Sequence, residues 1–508
     1  MIDFLLITGP VRDLTFAPMA LAQLKSISEA AGFSCKTIDY NQKYFHHKCH
    51  KDKNKFYDQT KMFRNTLPLG YDEIANSHCG KWLAHKVIQD VKKYNPKTVG
   101  VSSFSRYNNI ACLLICKIIK QHFAHIKVIV GGYGLHNPLN YLDAFDATLQ
   151  SQPEVGELLK VNNLCDTYII GDAEHKLVEW LKDHTVDYSG LNKRIIDANW
   201  TDTPYADFDD LDIENYDYHK GLILPMTGSK GCVRKCTFCD IPHNFGRFSF
   251  KSGKSIADEV MHLYEHYDAK TIYFTDSLVN GSLSAFIDYV ETLAELKAKK
   301  GYDDLRWTGQ YIVRPSHQIP DPKNYYALLN ESGAEGLTIG IESGSNKVLA
   351  DMNKHCTVDD ILTEINYFSS NDVSCGILLF PAFPSETRQD FLATVNMLKK
   401  LQPYWCNGTI NLVNFNTFYG NENYSEWGKK TEQDGMYSHP NDHSLWWYKN
   451  NPKLDYKEIV FRRLVLNKLV ETLNIPTNHE YDYMTQIHNY FTTNIEKVKK
   501  FHADIKKH

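Results

Sequence analysis

Short apolar runs alternate with helical segments along most of this 508-residue chain. In the first 200 residues, strands are predicted at residues 2–8, 37–39, 98–104, 127–130 and 166–170. Such alternation buries apolar side chains best in a parallel sheet with helices on both faces. We therefore predict a doubly wound α/β domain over residues 1–200, with a helical insertion in the polar stretch 41–77.

A second series of strand and helix units begins at Leu222, after an acidic and aromatic stretch over 201–221 that we interpret as a linker. Its strands are predicted at residues 223–227, 271–275, 306–313, 336–341, 373–380 and 409–415. Six β-plus-α units in about 200 residues predict a partial (β/α)6 barrel over residues 222–424. For residues 425–508 we expect a small, mainly helical region, rich in aromatic residues, with one amphipathic helix near 458–473.

Composition and charge exclude several classes of protein. The chain has 56 Lys and Arg against 61 Asp and Glu, a net charge of −5, so no basic field for duplex nucleic acid is expected. Its apolar runs are far shorter than the roughly 20 residues that a membrane span needs. The twelve cysteines are mostly scattered, and the chain reaches Pro10 without a basic leader. We expect a cytoplasmic protein without a signal peptide.

Three cysteines, at positions 232, 236 and 239, form a C-x3-C-x2-C motif directly after the first predicted barrel strand. Three thiolates at this spacing can bind three irons of a cubane cluster and leave the fourth iron open for a cofactor or substrate. On spacing alone, the alternative is a structural zinc site completed by His243. The position favours the cluster, because catalytic groups collect at the C-terminal ends of barrel strands.

Taken in order, the motifs resemble the radical S-adenosylmethionine (SAM) superfamily, and within it the branch in which a cobalamin-binding domain precedes the radical SAM barrel. The resemblance covers roughly residues 1–420. It rests on IGDAE at 170–174, TGSKGCVRKCTFC at 227–239, FTDS at 274–277, IGIESGS at 339–345, MNK at 352–354 and a segment ending FPSET at 376–387.

This resemblance implies that Cys232, Cys236 and Cys239 ligate a 4Fe-4S cluster whose open iron is chelated by SAM. An electron delivered through the cluster would then cleave SAM to a 5′-deoxyadenosyl radical. It also implies cofactor contacts from five side chains and adenine contacts from the backbone of 379–382. The five are Phe238, Asp276, Ser277, Glu342 and Ser343.

Two positions near these motifs keep alternatives, and two others depart from the family pattern. Asp276 could instead cap the following helix. Arg314 is a candidate SAM or substrate contact, or a surface ion-pair partner. Ala382 and Ser385 stand where the family usually has glycine, so the adenine site departs from the family pattern.

The N-terminal domain would be Rossmann-like and of the cobalamin-binding type. The usual signature, Asp-x-His-x-x-Gly, supplies a histidine to cobalt, but residues 39–44 here read DYNQKY. Members of the branch commonly lack that histidine. The small residues Ser102, Ser103, Gly131 and Gly132 end two strands and would let the nucleotide tail of cobalamin pass close to the backbone. A vestigial scaffold without cobalamin is the alternative.

The resemblance thus implies an enzyme that functionalises an unreactive carbon of a small molecule or peptide, most often by methyl transfer from methylcobalamin. Rearrangement, ring formation and oxidation stay open, and a reducing partner such as flavodoxin or ferredoxin is expected. An RNA methylthiotransferase is the second interpretation, and its additional cysteine triad would have to come from Cys35, Cys49 and Cys79. The third is a non-catalytic iron-sulfur or zinc-binding regulator.

Overall fold

The structure is a computed structural model that describes ten stretches of the chain. These are residues 1–64, 71–136, 154–189, 195–197, 199–216, 221–239, 241–415, 436–439, 442–448 and 451–477. The chain divides into two compact units, Met1–Met226 with Glu259–Tyr273 and Thr227–Asp258 with Phe274–His508. The domain boundaries given above stay predictions.

The first unit contains the predicted parallel sheet. Its strands are β1 (Ile2–Thr8), β2 (Cys35–Asp39), β3 (Pro96–Ser102), β4 (Lys127–Gly131) and β5 (Thr167–Ile169). They lie in the order β2-β1-β3-β4-β5 and all pairs are parallel. The order reverses between β1 and β3, and sheets of this kind bind ligands at the carboxyl ends of the strands beside such a reversal. The doubly wound α/β prediction is confirmed.

Eight helices of the first unit surround or extend this sheet. They are α1 (Met19–Ala30), α2 (Tyr40–His47), α3 (Lys53–Thr60), α4 (Tyr71–Asn76), α5 (His78–Tyr94), α6 (Asn109–His122), α7 (Val155–Val161) and α8 (Glu174–Lys182). Helices α2 to α4 form the helical insertion predicted from residue 41. The insertion is part of the core, because Phe45 and Phe56 are fully buried in the same apolar cluster as Leu5.

The stretch that we interpreted as a linker is tied to the first unit. Asp210 accepts a hydrogen bond from the Thr37 backbone N at 2.9 Å and pairs with Lys36. Tyr216 donates its hydroxyl to Asp39 Oδ2 at 2.7 Å. The same unit holds β6 (Ile223–Met226) and most of β9 (Thr271–Phe274), which lie side by side.

The second unit carries the remaining strands of the predicted barrel. A hairpin is formed by β7 (Ser229–Lys230) and β8 (Ser249–Phe250), followed in the chain by β10 (Arg306–Thr308) and β11 (Gln310–Tyr311). Strands β11, β12 (Leu337–Glu342), β13 (Cys375–Leu379) and β14 (Ile410–Phe415) form a parallel sheet in that order. The single strand predicted at 306–313 is thus interrupted at Gly309.

Helices separate these strands as predicted. They are α9 (Ile241–Phe245), α10 (Gly253–Tyr267), α11 (Leu283–Lys300), α12 (Pro322–Ser332), α13 (Asn346–Asp351), α14 (Val358–Ser370) and α15 (Arg388–Cys406). Two of them begin at capping boxes, where Thr357 and Thr387 exchange hydrogen bonds with an Asp three residues later. These caps fix where the segments after β12 and β13 turn into helices.

The C-terminal region adds a hairpin to the predicted helix. Strands β15 (Met436–His439) and β16 (Asp442–Tyr448) pair antiparallel, and α16 (Tyr456–Leu473) covers the predicted amphipathic segment. Trp427 lies outside the described residues. Within the described ranges, no helix combines the length and the apolar character needed to cross a bilayer.

Candidate active site

The three clustered cysteines lie on the loop between β7 and α9. None of the three forms a disulfide, and all three are of intermediate exposure. The Arg234 backbone N donates a hydrogen bond to Cys232 Sγ at 3.4 Å, and the Cys239 backbone N donates to the Cys236 carbonyl at 3.1 Å. The loop begins at Gly231, whose φ of +78° strains any other residue. A short, tightly turned loop therefore presents all three thiols.

The donor set is of the kind that binds an iron-sulfur cluster. Across the part of the chain that the structure describes, no three His, Cys, Asp or Glu side chains are grouped to hold one metal ion. A cubane cluster needs no such point, because each thiolate binds a different iron. The amide that donates to Cys232 Sγ is the kind of hydrogen bond that tunes such clusters. The side chain of His243, required for the zinc alternative, lies outside the described residues.

The segment after α13 contacts the cysteine loop directly. The Thr237 backbone N donates to the Met352 carbonyl at 3.1 Å, and Thr237 Oγ1 donates to the Asp351 carbonyl at 3.1 Å. Asn353 Nδ2 donates to the Lys235 carbonyl at 2.8 Å. These bonds bring the MNK motif, more than 100 residues away in sequence, beside the thiols.

Glu342 ends β12 in a strained conformation. Its φ is +59°, and the register of β12 shifts against β13 at this point. The carboxylate folds back along the strand to Lys354, whose Nζ lies 3.2 Å from Glu342 Oε1. A Cβ at Gly340 would lie 2.4 Å from Oε1, so a larger residue there would displace the carboxylate. Left-handed backbone at a non-glycine residue concentrates at functional sites, which supports a functional role for Glu342.

Phe238 joins the cysteine loop to the predicted adenine segment. Its ring stacks on Phe380, with centroids 5.9 Å apart, and meets Phe383 edge-on at 6.4 Å. Phe380 and Phe383 are buried, whereas Phe238 is half-buried. The half-buried ring of Phe238, packed on these two buried rings, offers an apolar face beside the thiols that suits a flat heterocycle.

Asp276 lies inside the protein. It accepts a hydrogen bond from the Gly228 backbone N at 2.8 Å, and burial raises the pKa of its carboxyl to about 7. Helix α11 is capped by Ser282, which excludes the helix-cap alternative for Asp276. Ser277, next in the chain, is half-buried. Cofactor contact by Asp276 and Ser277 stays a prediction, but the observed role of Asp276 is to hold the start of the cysteine-bearing segment.

Ser343 is also turned inward. Its hydroxyl lies 3.3 Å from Thr394 Oγ1 and accepts a hydrogen bond from the Ser345 backbone N at 3.2 Å. A Cβ at Gly344 would lie 2.5 Å from Thr394 Cα, so this turn packs directly on α15. The contact fixes the exit of β12, and SAM contact by Ser343 remains a prediction.

Arg314 follows β11 and binds the loop after β9. Its Nη2 donates to the carbonyls of Asn280 and Gly281 at 2.6 and 2.7 Å, so its partners are backbone oxygens and not the carboxylate of a surface ion pair. Its backbone N donates to buried Glu364 at 3.3 Å. Burial raises the pKa of Glu364 to about 7, and the hydroxyl of Tyr311 donates to it at 2.7 Å. Sequence analysis missed Glu364, which appears only as one polar residue of an amphipathic helix.

The serines predicted to contact cobalamin differ in position. Ser102 ends β3 and is half-buried, but Ser103 is fully buried and donates to Asn109 Oδ1 at 2.7 Å. Gly132 has a φ of +124°, and a Cβ there would overlap the Ser103 carbonyl. Its small size is therefore used by the protein's own loop, whereas a Cβ at Gly131 would have its nearest neighbour 3.8 Å away.

The DYNQKY stretch is built into the fold. Asn41 is fully buried; its Oδ1 accepts from the Arg12 backbone N at 2.9 Å and its Nδ2 donates to the Arg12 carbonyl at 3.3 Å. Asp39 caps α2 through the Asn41 backbone N at 2.8 Å. Both residues are engaged in structural bonds.

The candidate second triad is not assembled. The Cys49 thiol donates a hydrogen bond to Gln59 Oε1 at 3.7 Å. The pKa of the Cys79 thiol is raised first by burial and second by the nearby Cys49. Cys35 starts β2, where burial and then the Glu29 carboxylate raise its pKa. Cys49 and Cys79 are therefore near one another, whereas Cys35 lies in another environment.

Helix α16 holds the predicted adenine loop through Arg462, which sequence analysis also missed. The Arg462 side chain, 2 % exposed, donates to the Pro381 carbonyl at 3.0 Å and to Glu458 at 2.9 Å, and pairs with buried Glu386. Burial raises the pKa of Glu386, and the Arg462 charge opposes that shift.

We expect Arg462→Met to lower the free energy of unfolding by about 3 kcal/mol, because it leaves buried carboxyls without their partner. The double variant Glu386→Gln/Arg462→Met should lose less of the free energy of unfolding than Arg462→Met does. Arg388→Met is the matched control, since Arg388 is 59 % exposed, pairs with the same Glu458 and should cost at most about 1 kcal/mol. Urea titration measures all three; equal losses for Arg462→Met and Arg388→Met would contradict the assignment.

Comparison with known proteins agrees with this geometry. Residues 226–398 match the family model described as the radical SAM superfamily. This part of the chain is therefore similar to the radical SAM superfamily. The similarity implies a 4Fe-4S cluster and SAM as cofactors, in agreement with the donor set of the cysteine loop.

Two curated relatives illustrate the range of the similarity. A tRNA-2-methylthio-N(6)-dimethylallyladenosine synthase of Chromohalobacter salexigens is 25 % identical over 202 residues, 37 % of this chain and 44 % of that protein. The chain therefore matches less than half the length of this relative. An uncharacterised methyltransferase of Pyrococcus horikoshii is 22 % identical over 329 residues, 64 % of this chain and 68 % of that protein.

Solved structures show that the radical SAM fold here includes the N-terminal sheet domain. The methyltransferase TsrM of Kitasatospora setae, with cobalamin and a [4Fe-4S] cluster bound, has a TM-score of 0.60 at 14 % identity, covering 92 % of this chain and 91 % of that one. The cobalamin-dependent enzyme OxsB, with aqua-cobalamin bound, has a TM-score of 0.55 at 15 % identity, covering 84 % and 55 %. The predicted fold, a Rossmann-like domain followed by a partial radical SAM barrel, is confirmed.

Proposed function

We propose that this protein is a cobalamin-dependent radical SAM enzyme that methylates an unreactive carbon of a small molecule or peptide. The observation that carries the proposal is the combination, in one chain, of the cysteine loop beside Glu342 with a five-stranded sheet of order β2-β1-β3-β4-β5. When bound, the cluster and SAM supply a 5′-deoxyadenosyl radical and cobalamin supplies the methyl group.

The residues of the barrel have separate roles in this proposal. The triad binds the cluster. The carboxylate of Glu342 orients SAM by accepting hydrogen bonds from the hydroxyl or ammonium groups of SAM. Phe238 packs on the adenine, and the buried rings of Phe380 and Phe383 support Phe238 and exclude water. The observed support is the strained backbone of Glu342 and the stacked rings beside the thiols.

Cobalamin would bind at the carboxyl edge of the first sheet, beside the reversal between β1 and β3. Gly131 leaves open space at this edge and Ser102 is half-buried there. Phe104, which follows β3, is 61 % exposed. An exposed aromatic side chain next to a small-residue edge suits the apolar face of a corrin ring.

We predict that cobalt receives no lower ligand from position 41. The amide of Asn41 is hydrogen-bonded on both sides to Arg12, and a neutral amide is a much poorer ligand than imidazole. The measurement is the paramagnetic resonance spectrum of cobalt(II)-cobalamin bound to protein uniformly labelled with nitrogen-15. Its hyperfine pattern should be identical to that of unlabelled protein. A change from a triplet to a doublet would reveal a protein nitrogen on cobalt and contradict the prediction.

An RNA methylthiotransferase is the second candidate, because a tRNA-modifying relative matches 37 % of this chain. That reaction needs a second cluster, and the separation of Cys35 from Cys49 and Cys79 disfavours one. Iron analysis separates the two candidates. About four irons per chain fit the leading proposal, and about eight fit a second cluster.

The proposed reaction has further requirements. A one-electron donor such as flavodoxin or ferredoxin must reach the cluster. A cytoplasmic location is part of the proposal, and among the described residues no cysteine forms a disulfide, as a reducing compartment favours.

The test of methyl transfer starts with anaerobically reconstituted protein, incubated with hydroxocobalamin and then freed of excess by gel filtration. We expect about one cobalamin retained per chain, measured optically. Protein that cleaves SAM but retains no cobalamin would show the N-terminal domain to be a scaffold and would remove methyl transfer as the reaction. If the protein neither cleaves SAM nor takes up an electron from the reductant, the result would favour the third interpretation, a non-catalytic iron-sulfur or zinc-binding regulator.

A further inference from the structure

Lys354 places a buried positive charge beside the cysteine loop. Its side chain is 11 % exposed, its Nζ lies 3.2 Å from Glu342 Oε1, and it lies 5.9 Å from the ring centroid of Phe238. The residues before it are hydrogen-bonded to the loop through Thr237 and Lys235. The position of the ammonium relative to the thiols is therefore fixed by several independent contacts.

Lys354 carries its charge as one half of a buried ion pair with Glu342. Arg234, within the cysteine loop itself, donates from its Nη2 to the Val313 carbonyl at 3.3 Å. Burial alone would lower the pKa of Lys354, but the Glu342 carboxylate outweighs it and the pKa lies above its ordinary value. Lys354 is thus an ammonium, close to one carboxylate.

We propose that Lys354 is a positioning residue that sets the reduction potential of the cluster held by Cys232, Cys236 and Cys239. The inference rests on the proposed function, since it requires the cluster. It adds a determinant of electron uptake that neither the motif nor the fold assigns.

The physical reason is electrostatic. One electron passes from the reducing partner to the cluster, whose charge becomes one unit more negative, and no bond forms or breaks in that step. A nearby cation stabilises the more negative state and a nearby carboxylate destabilises it. Because the Lys354–Glu342 pair is buried, solvent ions screen both charges weakly. Lys354 should therefore raise the potential and Glu342 should lower it, as net charge does for such clusters generally.

The test is a redox titration followed by paramagnetic resonance on full-length, reconstituted protein. Lys354→Met should make the midpoint more negative, with about a tenfold smaller equilibrium constant for reduction by a fixed donor, or about 59 mV for one electron. The midpoint of Lys354→Arg should stay near that of the unmodified protein. Glu342→Gln should shift the midpoint in the opposite direction, and the double variant should fall between the two.

Lys399→Met, at an exposed lysine on α15, is the control for loss of a distant positive charge and should change nothing. Iron is counted in every sample, so failure of the cluster to assemble in the unmodified protein tests the proposed function and not this inference. An unshifted midpoint in Lys354→Met, or shifts of the same sign in Lys354→Met and Glu342→Gln, would overturn the role of Lys354. If Lys354→Met holds no cluster, an unshifted midpoint in Glu342→Gln would overturn the proposed role of Lys354 instead.

Discussion

Replacing Cys232, Cys236 and Cys239 together by Ala is expected to abolish iron binding and SAM cleavage. The three thiols are the donors of the loop between β7 and α9, and alanine has no atom that binds iron. Unmodified protein reconstituted without oxygen should show broad brown absorption and about four irons per chain, as thiolate-bound clusters do. Iron analysis and the visible spectrum measure the effect.

The control for the triple substitution is Cys406→Ala, at an exposed thiol on α15, which should keep the full iron content. Iron retained by the triple variant would reveal a second cluster elsewhere in the chain. Stoichiometric zinc in protein purified without oxygen would instead support the zinc interpretation of the motif.

Glu342→Gln is expected to keep the cluster and to slow SAM cleavage at limiting SAM about ten- to 150-fold. A charge-assisted hydrogen bond to a positioned hydroxyl or ammonium contributes about 1.5–3 kcal/mol, and glutamine keeps the shape without the charge. The rate of 5′-deoxyadenosine formation at fixed, low SAM measures the effect, and the iron content verifies the cluster.

Two further variants sharpen the test of Glu342. Gly340→Ala should reduce cleavage in the same way, because the added Cβ would overlap Glu342 Oε1 and displace the carboxylate. Glu331→Gln, at an exposed carboxylate on α12, should have no effect. Unchanged cleavage in Glu342→Gln would remove this residue from the SAM site.

The elements of the fold could be predicted because their signals are local. Apolar periodicity located the five strands of the first sheet, and the spacing of three thiols located the cysteine loop. The strand at 306–313 was predicted to be continuous, but it is interrupted at Gly309. An added Cβ at Gly309 would lie 2.7 Å from Val279. That neighbour comes from a distant segment and leaves no local signal.

The inner contacts of the site could not be predicted for the same reason. Lys354 pairs with a carboxylate 12 residues earlier, and Arg462 with one 76 residues earlier, so neither motif predicts the pairing. Gly132 was interpreted as space for a cofactor, but that space is taken by the Ser103 carbonyl. A glycine in a sequence indicates a close approach without indicating which group approaches.

The central claim is that this chain cleaves SAM reductively at a cluster held by its cysteine triad. Its most direct test is the amount of 5′-deoxyadenosine formed when reconstituted protein is mixed with SAM and a reductant without oxygen. We expect the nucleoside from the unmodified chain, none without the reductant, and none from the triple Cys→Ala variant. An iron-replete protein that forms no 5′-deoxyadenosine, or a triple variant that forms as much as the unmodified chain, would contradict the claim.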